Sequence, residues 1–377
     1  MNSRPMKVIA ICVFWLFTLI GCSEKNNDFK VGVIVDKGGA QWESKVNAIK
    51  LAFEEYNSSV ADDSNVKIIR FELFVLDSGE SAENAMDITR SLVYEKHVNA
   101  IIGPNTTRAA LPASVIAQNT EVAMISDGST HPLTTLDKDF IFRVVPTDEQ
   151  LVDAVISHIH ESSNKKIALF YDKTNVYSRG AASLFRNKSE KSSFSIQLFE
   201  YTPNENSFEK FIEHEQQKFD AVILPNFVKD LEIQLQLLSN NQIATKIYIL
   251  DTWDFKLQKL LHEKDQVIIT GVTHPLLFSQ SSKAQLFIEK YKARYGGTPD
   301  KSSAVSYDAA NVLIRAVSKS KVEPKKSLKA HLFETNYDGL IGNIQFNKQG
   351  DLARGVSLYQ ITQNQVIEVS SNGSNKE

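Results

Sequence analysis

The chain has 377 residues, of which 42% are hydrophobic and 23% charged, and its formal net charge at pH 7 is −3. This balance is typical of a globular protein and not of a disordered one. A mildly acidic chain without a basic cluster argues against nucleic acid as a partner. Because single hydrophobic cores seldom grow beyond about 250–300 residues, the length predicts two domains.

The first predicted element is a leader. Arg4 and Lys7 precede an apolar run over 8–20, which is shorter than the ~20 residues of a membrane-spanning helix and has the length of a signal-peptide core. The step Leu19-Ile20-Gly21-Cys22 resembles the bacterial lipobox. It predicts a signal peptide over 1–21 and a mature chain that carries diacylglycerol on Cys22.

The alternatives are an uncleaved anchor helix or a cysteine at this place by chance. With cleavage, Cys12 is lost and Cys22 is lipidated, so we expect no disulfide and no thiolate metal site. Residues 22–29 are interpreted as a tether. Ser23, rather than an aspartate, slightly favours the outer membrane by resemblance to the enterobacterial sorting rule.

Strand and helix patterns then alternate along the chain. The first run predicts strands over 30–35, 66–76, 98–102 and 122–126 and helices over 42–56, 82–95 and 108–118, with Ser81 as a helix cap. The second run predicts strands over 140–145, 166–171, 194–201, 220–224, 246–250 and 267–272. Its predicted helices extend over 149–160, 179–188, 206–217 and 229–240. Two late helices over 282–295 and 303–319 follow, and then three tail strands over 341–346, 356–361 and 365–369.

Such alternation predicts an α/β fold of two doubly wound lobes, each a parallel sheet with helices on both faces. Ligands of such sheets bind at the carboxyl ends of the strands. That rule selects the loops 103–108, 126–135, 172–179, 225–229 and 251–255. No phosphate-loop, dinucleotide, zinc-protease or serine-hydrolase motif occurs, so we expect neither an enzyme nor a cofactor or metal.

The same loops carry a resemblance to the type I periplasmic binding proteins, in the branch that binds leucine, isoleucine and valine for ABC importers. It extends from about Lys30 to about Gln360. The segments that carry it are Ala100–Pro104, Val122–Ser126, Phe140–Pro146, Asp172–Gly180, Lys290–Gly296 and Tyr307–Ala310. It implies a three-stranded hinge that joins lobe 1 (30–146 and 275–335) to lobe 2 (147–274 and 336–369), with a disordered tail over 370–377.

The resemblance also implies site residues. In lobe 1 a ligand carboxylate would meet hydroxyls and amides of Thr107, Gly128, Ser129 and Thr130, although Thr107 and Thr130 could instead be helix caps. In lobe 2, Tyr177 would serve as an aromatic lid. Asp251 would accept an ammonium group, or cap a helix over 254–262. Three further residues are candidates for ligand contact, namely Asn226, Phe227 and Trp42, and for Trp42 a place in the core is slightly preferred.

Departures from the family's pattern leave the ligand open. The first loop lacks a usual glycine, and Asp127 stands where proline is common, so we expect its carboxylate to repel an anion. The resemblance implies a tethered receptor that delivers an amino acid or similar zwitterion to an ABC permease. The alternatives are a lipoprotein that activates a cell-wall synthase and a receptor that regulates a membrane sensor.

Overall fold

A computed structural model describes residues 28–39, 41–60, 69–79, 81–203, 205–241, 243, 246–261, 265–271 and 281–372. The predicted signal peptide, Cys22 and the predicted crossing near 275 lie outside these ranges. The strands are β1 Asp28–Val35, β2 Arg70–Asp77, β3 Ala100–Ile102, β4 Ala123–Ser126, β5 Ile141–Arg143, β6 Lys166–Asp172, β7 Ser195–Tyr201, β8 Ala221–Ile223, β9 Lys246–Ile249, β10 Gln266–Gly271, β11 Tyr337–Gly339, β12 Gly342–Ile344, β13 Val356–Ile361 and β14 Val366–Asn372.

The helices are α1 Trp42–Val60, α2 Ala82–Arg90, α3 Thr107–Asn119, α4 Asp148–Glu161, α5 Val176–Ser189, α6 Ser207–His214, α7 Val228–Asn240, α8 Ser282–Tyr295, α9 Lys301–Val322 and α10 Leu328–Phe333. A π-helical turn, Ser91–Glu95, continues α2. Short 3-10 turns follow β4 (Pro132–Thr134), α6 (Gln216–Lys218) and β9 (Phe255–Leu260).

Two sheets organise the molecule, as the alternating pattern predicts. The first has the order β2-β1-β3-β4-β5 and is parallel throughout. The second has the order β14-β13-β10-β9-β8-β6-β7 and is parallel except for β13 and β14. Burial on both faces explains the unbroken apolar runs of the central strands: Ala100–Ile102 and Ala221–Ile223 are buried throughout.

The chain passes between the two lobes more than once. It leaves the first sheet after β5 and enters the second at β6. Helix α9 lies against α1 of the first lobe, and the chain then returns through the β11–β12 hairpin to β13. Within the described residues, two connections therefore join the sheets, one after β5 and one through the β11–β12 hairpin.

Several boundaries differ from the prediction for local reasons. Helix α5 begins at Val176, three residues early, because the Asn175 side chain caps it by accepting from two backbone amides. The helix predicted over 206–217 is broken into α6 and a 3-10 turn. Strand β14 extends to Asn372, so its last three residues are paired and not part of a disordered tail.

Candidate functional site

Two loops of lobe 1 meet at the carboxyl edge of the first sheet. A Cβ on Gly128 would lie 2.7 Å from the Asn105 Cα, and the Asn105 carbonyl oxygen is closer still. Only glycine permits this approach. The Ser129 hydroxyl lies 3.4 Å from that of Thr107 and 2.8 Å from that of Thr134. The four predicted first-lobe residues therefore lie together, with three of their hydroxyls in or beside one buried cluster.

Neither predicted threonine is a helix cap. The cap of α3 is Thr106, and it makes no side-chain capping bond. His131 caps the 3-10 turn through its ring. Among the described residues, the hydroxyls of Thr106 and Thr130 are buried without a hydrogen-bond partner. Because a buried, unsatisfied hydroxyl is unfavourable, hydrogen bonds from these groups to a bound molecule would be stabilising.

Arg143 fixes the shape of the second loop. Its guanidinium donates to the carbonyls of Ser129 (3.2 Å), His131 (2.9 Å) and Pro132 (3.3 Å). Its Nε lies 2.6 Å from a carboxylate oxygen of Asp351. The side chain of Arg143 is fully buried, so a guanidinium group that is not exposed to solvent holds this loop in place.

The expectation for Asp127 needs correction. Its carboxylate lies 2.8 Å from the ammonium group of Lys45 and accepts from the Ser306 hydroxyl at 2.6 Å. Lys45 also donates to the Ile34 carbonyl. This ion pair is almost fully buried. The negative charge of Asp127 is therefore neutralised inside lobe 1, and it gives no reason to exclude an anion from the neighbouring loop.

In lobe 2, Tyr177 and Phe227 stack with ring centroids 5.4 Å apart, and the Tyr177 hydroxyl donates to Asp251 at 3.3 Å. The 3-10 helix that follows is capped by Asp254, so Asp251 is not its cap. Burial and the nearby carboxylates of Asp251 and Asp148 raise the pKa of Tyr177. The hydroxyl therefore stays protonated and remains a donor.

Asp148, the first residue of α4, was not among the predicted site residues. Its side chain is fully buried, and within the described residues neither oxygen has a hydrogen-bond partner of ordinary geometry. Its backbone amide donates to the Thr130 carbonyl at 2.8 Å. Burial raises its pKa to about 7, opposed by the nearby Thr130 hydroxyl and the Arg143 charge. Asp148 thus places a buried carboxylate beside the second loop of lobe 1, close enough to Asp251 for the charge of Asp251 to raise its pKa further.

Two predicted contacts are placed elsewhere. The Asn226 side chain accepts from Ser178 (2.8 Å) and donates to the Phe170 carbonyl and to Gln234, so its hydrogen-bonding groups are used inside lobe 2. Trp42 packs partly buried against the core, with the Lys37 ammonium group 5.2 Å from its ring. Asn226 therefore positions neighbouring loops. Trp42 packs against the core, which is the place that the sequence slightly favours.

The lobes touch across the cleft. Lys301, at the start of α9, donates to the Asp251 carbonyl and lies 3.5 Å from its carboxylate. Arg108 donates to the Thr174 carbonyl at 3.3 Å. Thr107, Ser129, Thr130 and Tyr177 each expose 4% or less of their surface. A molecule can therefore reach these residues only when the lobes separate.

Comparisons place this geometry among known proteins. The sequence pattern described as "Periplasmic binding protein" matches residues 28–365. The leucine-specific-binding protein of Salmonella typhimurium is 22% identical over 334 residues, which cover 86% of this chain and 88% of that protein. A leucine binding protein from Thermotoga maritima has a TM-score of 0.79 at 22% identity, over 92% of this chain and 99% of its own.

A solute binding protein of an ABC transporter from Rhodopseudomonas palustris, in complex with benzoate, has a TM-score of 0.78 at 14% identity, over 93% of this chain and 98% of its own. In the described ranges, no helix combines the length and the apolar character needed to cross a membrane. The family pattern covers most of the sequence and the solved relatives share both lobes, so the chain belongs to the periplasmic binding protein family and has the type I fold.

Proposed function

We propose that the protein is an extracytoplasmic solute-binding protein that closes on a small zwitterion, most simply an α-amino acid. The observation that carries the proposal is Asp148, a fully buried carboxylate that lies beside the Thr130 hydroxyl and forms no ion pair within the described residues. An unpaired buried charge is strongly unfavourable. A ligand ammonium group would relieve this penalty.

The rest of the cleft fits the two ends of such a ligand. The Asp251 carboxylate supplies a further acceptor for a cation. Thr106 and the first amides of α3 supply uncharged donors for a carboxylate, which helix N-termini favour. The stacked rings of Tyr177 and Phe227 offer an apolar surface. Carboxylates on one side and neutral donors on the other suit a molecule that carries both charges.

The names of the relatives support a solute-binding role and differ in ligand. One binds leucine by name and another was solved with benzoate. Benzoate has a carboxylate and no ammonium group, so it would leave the Asp148 carboxylate without a counter-charge. We therefore favour an amino acid over an aromatic acid, and binding without catalysis over an enzymatic role.

Calorimetry with the purified mature protein tests the proposal. We expect at least one common amino acid to bind, and its decarboxylated and deaminated analogues to bind at least tenfold more weakly. Asp251→Asn should weaken binding at least tenfold, because a charge-assisted contact to ligand is lost. Asp137→Asn, an exposed change with the same loss of charge, should have little effect. Failure of every amino acid to bind would overturn the proposal.

We further propose that lipidated Cys22 tethers the protein outside the cytoplasm and that an ABC permease receives the ligand. Relatives described as ABC transporter binding proteins support this partner. Cys22→Ser should move the protein from the membrane fraction to the soluble extracytoplasmic fraction without changing amino-acid affinity. Crosslinking in cells should recover a permease. Recovery of a cell-wall synthase or a sensor kinase instead would contradict the transport role.

A further inference from the structure

An open pocket of about 280 Å³, called the cavity below, lies beside the cleft between the second loop of lobe 1 and helix α5 of lobe 2, and its two arginines are exposed to solvent. Arg179, Ser183 and Arg186 line it from α5. They are spaced by four and three residues and so share one face of the helix. His131 closes the opposite side from lobe 1. The cavity is therefore complete only when the two lobes are together.

The wall of this cavity is cationic. None of its lining residues is an aspartate or a glutamate, although acidic residues outnumber basic ones in the chain. Neither Arg179 nor Arg186 forms an ion pair within the described residues, and Arg179 donates to the Lys173 carbonyl at 3.0 Å. The carboxylate of Glu200 is already held by the Tyr171 hydroxyl and the Lys173 ammonium group. Two positive charges thus face the cavity without a counterion.

His131 adds a donor from the other lobe. Its Nδ1 accepts from the Leu133 amide at 3.2 Å, so the neutral ring carries its proton on Nε2. Burial and the nearby Arg143 charge lower the pKa of His131, which keeps the ring neutral at pH 7. Nε2 is 3.6 Å from the position that a Cβ on Gly180 would occupy. The Cδ2–Nε2 edge of the ring therefore faces α5.

We propose that the cavity binds an anionic group, a carboxylate or a tetrahedral oxyanion, held by Arg179 and Arg186 from lobe 2 and by His131 from lobe 1. Guanidinium groups match the geometry of such oxyanions. An anion that contacts both lobes binds the closed arrangement more tightly than the open one and therefore stabilises closure. As a site for a free anion, this subsite does not depend on the amino-acid function; as a site for the ligand's own acidic side chain, it rests on that proposed function.

The anion has two possible sources. It can be a free ion, or the acidic side chain of the ligand in the main site. The second source is geometrically reasonable because an oxygen of Asp148 lies 4.0 Å from the same Gly180 position that His131 approaches. The main site and the cavity are therefore neighbours, separated by Gly180 and the His131 ring.

Calorimetric titration of the mature protein with sodium sulfate and sodium phosphate, at an ionic strength held constant with sodium chloride, tests the free ion. We expect saturable binding that weakens at least tenfold in the double variant Arg179→Gln/Arg186→Gln. Lys191→Gln removes an exposed charge just beyond α5, outside the cavity, and should leave binding unchanged. Circular dichroism and the unfolding midpoint establish that each variant is folded.

A second titration distinguishes the sources by comparing glutamate with glutamine. The anion would be the ligand's own side chain if sulfate and phosphate do not bind, and if glutamate binds more tightly than glutamine in the wild type but not in the double variant. If the two arginines affect neither the binding of free anions nor the binding of glutamate, the proposal is wrong. Asp148→Asn should abolish amino-acid binding and retain anion binding, so a failure of the amino-acid function and a failure of this subsite give different results.

Discussion

A carboxyl group as deeply buried as that of Asp148 can be neutral or charged in a folded protein, and its surroundings decide which. Loss of water favours the neutral form, and the Thr130 hydroxyl and the Arg143 charge oppose it only in part, which leaves the pKa at about 7. Near physiological pH the group is therefore divided between two forms. The arrival of a ligand ammonium group would favour the charged one.

The raised pKa of Asp148 predicts how the free energy of unfolding changes with pH. The folded protein keeps the Asp148 proton up to about pH 7, whereas the unfolded chain releases it near pH 4. The contribution of Asp148 to the free energy of unfolding is therefore fully present below about pH 4 and is lost as the pH rises to about 7. Asp148→Asn should stabilise the ligand-free protein at pH 7.5 by about 1–4 kcal/mol.

Urea denaturation of the wild type and the variant across pH 4–8 measures this difference, which should vanish near pH 4. Asp137→Asn, at an exposed position, is the control and should follow the wild type throughout. A variant that is less stable than the wild type at pH 7.5 would show that the Asp148 carboxylate is satisfied in the folded protein.

Ligand affinity should show the opposite trend with pH. An ammonium ligand binds the deprotonated form of Asp148. As the pH rises toward the pKa of Asp148, the Kd of the ligand should therefore decrease by up to about tenfold per pH unit, and it should level off above the pKa. Calorimetry of the bound amino acid between pH 5.5 and 8.5 measures the effect. Affinity that is independent of pH would remove Asp148 from the ammonium site.

The close approach of Gly128 to Asn105 predicts that a side chain at position 128 would separate the two first-lobe loops. Gly128→Ala would force a methyl group into the Asn105 backbone, so the two first-lobe loops must separate. We expect a loss of at least 2 kcal/mol in the free energy of unfolding, typical of overpacked sites, and loss of amino-acid binding. Gly297→Ala, where a Cβ meets nothing within 4 Å, should change both by little. A normally stable Gly128→Ala protein that binds ligand would contradict the tight approach.

At the scale of elements, the buried Lys45–Asp127 pair joins α1 to the loop after β4, and Ser306 connects both to α9. Lys45→Met would leave a buried carboxylate without its counterion, which we expect to cost about 3–5 kcal/mol. The double variant Lys45→Met/Asp127→Leu should recover much of this loss. Asp87→Asn in the exposed Arg90–Asp87 pair should change stability by less than about 0.5 kcal/mol.

The elements were largely predictable because burial leaves a strong mark on sequence. Apolar runs such as 166–171 and three-to-four spacing such as that of 42–56 identified strands and helices, and the strand-end rule identified the loops of the site. The individual contacts were not predictable. An aspartate at the start of α4 looks like an ordinary favourable helix-terminal acid, and only the packed lobes remove it from water.

The partner of Asp127 was also not predictable from the sequence. Its charge beside a predicted anion site indicated repulsion, because its partner Lys45 is 82 residues away. Asn226 lies in a loop that the strand-end rule selects, and its side chain turned inward to Ser178 and Gln234. Sequence patterns report which loops converge, whereas side-chain direction depends on long-range packing.

At the scale of the molecule, the contacts between lobes set how often the ligand-free protein is closed. Lys301 joins α9 to Asp251 and is partly exposed, so it should contribute only about 0.2–1 kcal/mol to closure. Lys301→Ala should raise the ratio of open to closed protein by about 1.4- to 5-fold. Single-molecule energy transfer between dyes on the two lobes measures it, and Lys292→Ala is the exposed control. An unchanged ratio would exclude Lys301 as a closing contact.

The attachment of Arg143 to Asp351 has a practical consequence for engineering. A guanidinium that shapes the ligand loop takes its counter-charge from a segment near the end of the chain, and Gly350 also accepts from the Arg143 amide at 2.9 Å. A fluorescent reporter inserted near 347–352, or a circular permutant opened there, should lose its ligand response. Split-protein designs should keep that stretch intact and place new termini in distant surface turns.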